Sequence, residues 1–496
     1  MEDIFNKKNL IILTLNLIVL PALAFARAKP VIISFKQKPG PSEIALLQSA
    51  KTVVKRNFQL IPAVAARLPE EEIDQLRKNS KIAYVEEDAV YTVTTDFVVA
   101  EESFNSWGVR HIFADIAHAH GNRGTGVKVA ILDTGIDYTH EDLNDNYKGG
   151  YDFVFDDEDP FDDSFESHGT HVAGIIAAED NGVGIIGVAP EVDLYVLKVL
   201  DGAGFGLAEW IIAGIDWAVQ NRIDIINLNI EGPHIQALQD ACDQAYNAGI
   251  LLVAGCGNSM AEGGLVAYPA AYDSVIAVTA TDSSDIPGFF SPIGKQIEIA
   301  APGVNILSTI AGGNYGFLSG TSRAAPYVTG TAALYILANT DDLNGDGLVN
   351  NEDIRLMLQL IAIDMGKAGK DNIFGYGLVN AAVGAINSDI TLTISRTSGR
   401  PTSDAQVAEV GGIPYGISII NSGLSKVTVD VFEEDIWRED LSNTFQFSDK
   451  KSQDVVSWLD ATNTRYYVFF TPYGNPDTSA EIILTAGIEN IMGWSQ

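Results

Sequence analysis

The chain has 496 residues, 46% of them hydrophobic, with 65 acidic against 31 basic side chains and a net charge of −34. That length supports more than one packed domain, and that charge disfavours nucleic acid and anionic membranes as partners while favouring solubility and cation binding. The two cysteines, Cys242 and Cys256, are too few for a disulfide framework. Cys242 falls in a helical pattern and Cys256 just after an apolar run, so two buried free thiols are expected, with a single bridge as the alternative.

In chain order, Lys7 and Lys8 precede the apolar run "LIILTLNLIVLPALAFA", which closes on Ala24-Phe25-Ala26. A basic start, a short apolar stretch and an A-x-A end read as an export signal over 1–26, removed before Arg27. The run is short for a membrane span; an uncleaved anchor is the alternative, because Glu2 and Asp3 are unusual in such a start. With no second transmembrane candidate, a secreted protein is expected, extracellular or periplasmic, without stable membrane insertion. Residues 27–98 carry "PVIISFK", a helical stretch and "KIAYVEEDAVYTV", a small α+β unit.

From 99 to 386 apolar strands alternate with amphipathic helices: "VKVAILDTG", "LYVLKVL", "DIINLNI", "ILLVAG" and "VIAVTAT". Near-continuous apolar runs, each followed by a helical period, predict an α/β fold with a doubly wound parallel sheet covered on both faces. Ligands of such sheets sit at the carboxyl ends of the strands. From 387 to 496 the pattern turns to alternation without helical periods ("TLTISR", "YGISIIN", "KVTVDVF", "RYYVFFTP"), which predicts a C-terminal all-β domain of sandwich type.

"FLSGTSRAAPYVTG" offers two serines, Ser319 and Ser322, on a turn that opens a small-residue helix. A serine hydroxyl needs a base to become a nucleophile, and the base needs an orienting acid. "VKVAILDTGID" ends a buried strand on Asp133, and "SHGTHVAGIIAA" puts His168 just before a helix. "LLVAGCGN" ends a strand on Asn258, whose amide can donate to a developing oxyanion. Taken singly, each has a plainer reading: a turn-capping Asp, a structural His, a turn-forming Asn.

Together, "AILDTGID", "SHGTHVAG", "VAGCGN" and "SGTSRAAPYVTG", in that order, resemble the subtilisin-like serine proteases over roughly 103–386. The resemblance implies a subtilisin-like catalytic domain and a Ser-His-Asp triad. Ser322 would be the nucleophile, His168 the general base and then acid, Asp133 its orienting partner, with Asn258 and the Ser322 N–H as the oxyanion hole. His171 matches a structural position. Gly204, Gly206 and Ile211 match one substrate strand and the S4 wall. Asn229, Ile230 and Glu231 match the other, Gly257 is a further substrate-binding position, and Ala267 lies at the base of the S1 pocket. The implied activity is serine endopeptidase, on polypeptide substrates, in a monomer.

The chain also departs from the family, which usually has Met at Arg323, Ser at Ala325 and His at Tyr327. Arg323 is expected to find a carboxylate or reach solvent, because a buried unpaired charge is costly. Where a Ser-Leu-Gly run is usual this chain has Asn229-Ile230-Glu231, and Ala267 replaces a customary glycine. An acidic rim and a shallower pocket point to small, polar or basic P1 residues; a solvent-facing Glu231 without effect is the alternative.

"YVEED" at 84–88 resembles the family's inhibitory prodomain, a transient intramolecular inhibitor. The implied zymogen would process itself between about Val93 and Ser103, since Trp107-Gly108 matches a mature start. The alternative is a permanently attached N-terminal unit.

An insertion at 340–354, "TDDLNGDGLVNNEDI", places Asp342, Asn344, Asp346, Asn350 and Asp353 at the spacing of an oxygen cage, with Gly347 for the turn and a Leu348 carbonyl. It resembles a single EF-hand or dockerin loop with Asp353 in place of the closing Glu, and structural Ca²⁺ is expected there. The family resemblance implies a second Ca²⁺ held by Asp142, Asn181 and carbonyls of Glu179, Val183 and Ile185. The acidic run at 156–163 offers Asp157, Asp159 or Asp162 to a third ion, or is simply solvated. No catalytic metal is expected. The rivals to a peptidase are a non-catalytic relative that binds through its β-domain, and acyl transfer or ester hydrolysis at the same serine.

Overall fold

The computed structural model describes residues 28–93, 107–119, 121–259, 264–338, 342–367, 369–382 and eight strands between 390 and 485. The export-signal reading at 1–26 and most of the segment expected to be processed lie outside the described residues.

The front unit runs β1 (Ala28–Phe35), α1 (Pro41–Ser49), β2 (Val53–Asn57), β3 (Ala63–Pro69), α2 (Glu70–Arg77), β4 (Ile82–Glu87) and β5 (Val90–Val93). Its first four strands form one sheet in the order β2-β3-β1-β4. Alternation along β1 gives the sheet two apolar faces. Val31, Ile33 and Phe35 pack with Leu47 of α1 and with Ile73 and Leu76 of α2. Ile32, Ala63 and Ala65 instead join a core shared with Ala208, Ile211 and Ala237 of the following body.

That body continues with α3 (Trp107–His111), α4 (Ala114–Ala119), β6 (Lys128–Asp133), β7 (Tyr147–Asp152), α5 (His168–Ala177), β8 (Asp193–Lys198), β9 (Phe205–Leu207), α6 (Ala208–Gln220), β10 (Ile225–Leu228), β11 (Ile230–Glu231), α7 (Gln236–Asn247), β12 (Leu251–Gly255), β13 (Val275–Thr281) and β14 (Ile297–Pro302). A hairpin of β15 (Ile306–Ile310) and β16 (Asn314–Leu318) leads into α8 (Thr321–Leu337), and α9 (Asn351–Leu360) follows the 340–354 insertion. Seven strands make one sheet, β14-β13-β12-β10-β6-β8-β7, and all of its pairs are parallel. The α/β, doubly wound architecture is the expected one. The edge strands β7 and β14 were not among the sequence's apolar runs. β7 is "YKGGYD", only half-buried, so an edge position lets it dispense with a continuous apolar run.

Each central strand serves both faces. Val129 and Ile131 of β6 join the cluster of α5 and α8, whereas Ala130 and Leu132 join that of α6 and α7. From β6 the chain builds outward through β8 and β7, and from β10 it builds the other way through β12, β13 and β14. The direction switches between β6 and β10, and a crevice opens beyond the carboxyl ends of strands at such a point.

Past 389 lie β17 (Ile390–Arg396), β18 (Pro414–Asn421), β19 (Lys426–Glu433), β20 (Ile436–Trp437), β21 (Asn443–Gln446), β22 (Ser452–Trp458), β23 (Arg465–Pro472) and β24 (Ala480–Thr485). They pair antiparallel in two sheets. Among the described residues no helix is long and apolar enough to cross a membrane.

Candidate active site

Asp133 is the last residue of β6 and is fully buried at the switch point. Its Oδ1 accepts from the Thr134 N–H at 2.7 Å and faces His168 Nδ1 at 2.7 Å. A carboxylate at that distance can only accept, so Nδ1 carries the proton and Nε2 is left as the acceptor nitrogen.

His168 begins α5, and α5 comes this close because its second residue is glycine. A Cβ at Gly169 would stand 2.1 Å from the Gly135 carbonyl oxygen. The Thr134 hydroxyl completes the joint: it accepts from the Gly169 N–H at 3.0 Å and donates to Asp162 at 3.0 Å. Asp162 is buried, and its other oxygen accepts from the Thr170 N–H and hydroxyl at 3.0 and 2.7 Å. Both oxygens of Asp162 are therefore engaged in holding α5 to the β6 turn.

Ser322 lies in the first turn of α8 and is fully buried. Three contacts fix this turn against the ends of β10 and β12. The Asn229 amide donates to the Ser322 carbonyl at 3.1 Å. Asn258 Oδ1 accepts from the Thr321 N–H at 2.9 Å, and Thr321 Oγ1 accepts from the Gly257 N–H at 3.1 Å. Because Asn258 accepts through its oxygen, its NH2 is the end that can donate elsewhere. Ser319 is also buried, but its hydroxyl accepts from the Asn305 N–H at 2.8 Å.

Arg323 does not reach solvent. It is fully buried, and its Nη1 donates to the His168 main-chain carbonyl at 3.2 Å. Nearby, His171 Nε2 stands 3.1 Å from the carbonyls of Ile306 and Gly316. Burial, then the Arg323 charge, hold His171 well below the ordinary histidine range, so it is a neutral donor. Two groups of this layer escaped sequence reasoning. Lys198 is buried at the end of β8, where its Nζ bonds the Thr134 carbonyl and meets Asp163 at 2.8 Å. Asp162 was weighed only as an ion ligand. The lysine that closes the apolar run "LYVLK" was the available signal for the first.

The front unit enters this site. β5 is the middle strand of a three-stranded sheet, β11-β5-β9. Tyr91 pairs with Gly206 and Thr92 with Phe205 on one side; Thr92 pairs with Glu231 and Val93 with Ile230 on the other. The Val93 N–H donates to the Gly204 carbonyl at 2.9 Å. Tyr91 shares its apolar cluster with Ile211. Gly204, Gly206, Ile211, Ile230 and Glu231 thus gather around one extended segment of the chain itself. Two acids of the front unit also meet helix starts: Glu86 accepts from the Gln236 and Ala237 N–H groups at 3.2 and 2.7 Å, and Asp88 from the Glu209 N–H at 3.0 Å.

Residues 124–377 match the family model described as the subtilase family, and residues 32–94 match peptidase inhibitor I9. The chain belongs to the subtilase family. It is 39% identical to subtilisin NAT of Bacillus subtilis subsp. natto over 366 residues, 72% of this chain and 90% of the relative. It is 38% identical to subtilisin J of Geobacillus stearothermophilus over 379 residues, 75% of this chain and 94% of the relative. An alkaline protease of Alkalihalobacillus alcalophilus is 39% identical over 350 residues, 70% of this chain and 86% of the relative. This subtilase is a serine endopeptidase that carries an inhibitor-type prodomain in its own chain.

Cys242 and Cys256 are free and buried, not bridged. Burial is the main reason both thiols lie above the ordinary range, Cys256 at about 12. In the insertion, Asp342 accepts from the Gly345 N–H at 2.7 Å and the Gly347 N–H at 2.8 Å. Asp353 accepts from the N–H groups of Leu343 at 2.8 Å and Asn350 at 2.9 Å, and so ties the loop to the start of α9. Asp346 receives the Leu348 N–H at 2.8 Å, and Asn344 and Asn350 both point an amide toward it at 3.4 Å. At the second expected site Asp142 Oδ2 accepts from the Ile185 N–H at 3.1 Å, while its Oδ1 is buried without a hydrogen-bond partner. Asn181 Oδ1 accepts from the Val183 N–H at 2.9 Å, and the Glu179 carboxylate from the Asp145 N–H at 2.8 Å. Among the described residues no three acidic, histidine or cysteine side chains converge as a metal cluster.

Proposed function

We propose that this subtilase is a secreted, calcium-stabilised zymogen whose peptidase site is built on Ser322, His168, Asp133 and Asn258. The observation that carries this reading is the 2.7 Å contact of His168 Nδ1 with Asp133 Oδ1, both residues buried at the sheet's switch point. It supports His168 Nε2 as the base that takes the Ser322 proton when Oγ attacks the scissile carbonyl. Asp133 stabilises the imidazolium, which then protonates the leaving amine. The tetrahedral oxyanion would be met by the Asn258 NH2 and the Ser322 N–H, at the positive end of α8.

The inhibitory prodomain is assigned to 27–98, the catalytic domain to 99–386 and a β-sandwich-like domain to 387–496. The seat of β5 between β9 and β11 supports two roles for the front unit, inhibitor before processing and substrate during it. The partner-less Asp142 Oδ1 suits a hard cation, with carbonyls of Glu179, Val183 and Ile185 and the Asn181 side chain completing the set. Asp342, Asn344, Asp346, Asn350, Asp353 and the Leu348 carbonyl would hold another. Bound Ca²⁺ would neutralise buried carboxylates and pin both loops.

The test is expression of the wild type and Ser322→Ala with calcium, followed by intact mass, casein hydrolysis and fluorophosphonate labelling. Wild type should lose the residues up to about 93–103, cleave casein and take one label, while Ser322→Ala stays uncut, inert and unlabelled. Two folded, uncut and unlabelled proteins would leave a binding protein as the better reading.

A further inference from the structure

Glu231 ends β11, and its Oε2 is buried. A Cβ built on Gly257 would lie 3.0 Å from that oxygen and 3.2 Å from Ala267 Cβ. Glu231, Gly257 and Ala267 therefore line one small space. The segments that carry them are joined, since the Ala267 N–H donates to the Cys256 carbonyl at 3.0 Å and the Gly232 N–H to the Tyr268 carbonyl at 3.0 Å.

That space adjoins the nucleophile. Gly257 bonds Thr321, Asn258 bonds Thr321, and Asn229 bonds the Ser322 carbonyl. An extended chain lying as Tyr91–Val93 lies runs past Glu231 and Ile230 toward Asn229, and so toward Ser322. The side chain next to its scissile carbonyl would then face the crevice between the strand at 229–231 and the segment at 256–258. A carboxylate oxygen that a seated chain covers favours a cation over a neutral group of equal size. The Ala267 methyl takes up room that a bulky ring would need.

We infer that Glu231 is the specificity-determining residue of the P1 pocket and makes it favour lysine or arginine over uncharged side chains of equal size. This rests on the peptidase reading. The test is kcat/KM of the matured full-length enzyme on peptide anilides that differ only at P1. Lysine is compared with its uncharged isostere norleucine, and arginine with citrulline. Lysine should exceed norleucine, and arginine citrulline, by tenfold or more. Glu231→Gln, which keeps the shape, should collapse both ratios to within about threefold. Glu231→Gly, which also removes the bulk, should open the pocket to phenylalanine. Equal turnover of the charged and uncharged members, with the fluorophosphonate label intact, overturns this inference alone. No turnover of any peptide and no label overturns it together with the peptidase reading.

Discussion

Arg323 Nη1 donates to the main-chain carbonyl of His168 at 3.2 Å, so the residue after the proposed nucleophile holds the backbone of the proposed base. A cation at this fully buried position is costly unless its donors are satisfied. Arg323→Met keeps the length and apolar bulk and removes the charge. It should leave stability within about 1.5 kcal/mol, whereas Arg323→Ala should cost about 3 kcal/mol through the cavity it opens. Urea unfolding in a Ser322→Ala background, which prevents self-digestion, measures both. In the active enzyme either change should lower kcat several-fold with KM nearly constant, because the lost contact positions the proposed base and does not touch substrate. A Met variant as unstable as the Ala variant would sink this account.

Asn258 gives its oxygen to the Thr321 N–H at 2.9 Å, which leaves its NH2 for the proposed oxyanion role. Asn258→Ala should lower kcat by about 10²–10³ with KM within a few-fold, a magnitude known from a subtilisin itself. Asn258→Asp should be equally impaired, since it keeps the acceptor and loses the donor. Equal losses in kcat and substrate affinity would point to a collapsed turn and not to a missing donor.

Asp88 of the front unit lies against the start of α6, accepting from the Glu209 N–H at 3.0 Å. Burial and then the Glu209 carboxylate push its pKa up to about 7, against the bond it accepts and the Arg67 charge. A carboxyl raised on docking favours the protonated complex. Its contribution to docking is complete below the ordinary value of 3.8 and is lost as pH rises through about 7. After processing, the cut prodomain should therefore hold the body about tenfold more tightly at pH 6 than at pH 8. Asp88→Asn, which still accepts from Glu209, should flatten that difference. Co-elution of the two pieces on gel filtration at fixed concentration reads the change. Tighter retention at pH 8 would reverse the sign and reject the role of Asp88.

Much of this protein was legible in its sequence, for identifiable reasons. Strands β6, β8, β10, β12 and β13 are central, mostly buried on both faces, and read as near-continuous apolar runs, whereas the edge strand β7 needed no such run and left no signal. Asp133, His168, Asn258 and Ser322 stand out because each ends a strand or starts a helix beside small residues. Lys198 and Asp162 do not, because their roles come from register and packing. Lys198 pairs with Asp133 across β6 and β8, a relation between residues 65 positions apart by their numbers. Arg323 was expected to find a carboxylate or solvent; it is fully buried, and its Nη1 meets a carbonyl on a helix from another part of the chain.

Asp142 presents the clearest demand for a cation. Its Oδ2 accepts from the Ile185 N–H and the Tyr315 hydroxyl, both at 3.1 Å, while Oδ1 is buried without a partner. Burial raises its pKa, because removal from water disfavours the charged carboxylate. Ca²⁺ at about a thousand times its Kd would stabilise the fold by about 4 kcal/mol, because it binds only the native loop. In the Ser322→Ala background, chelation should lower the melting temperature by several degrees. Asp142→Asn should remove much of that calcium dependence while costing little in chelator, where the wild type bears the buried charge unrelieved. Asp342→Asn should remove a separate portion if the 340–354 insertion binds its own ion, and the two losses should add, since distant sites act independently. Wild type and Asp142→Asn that respond identically to calcium would remove Asp142 from the ligand set.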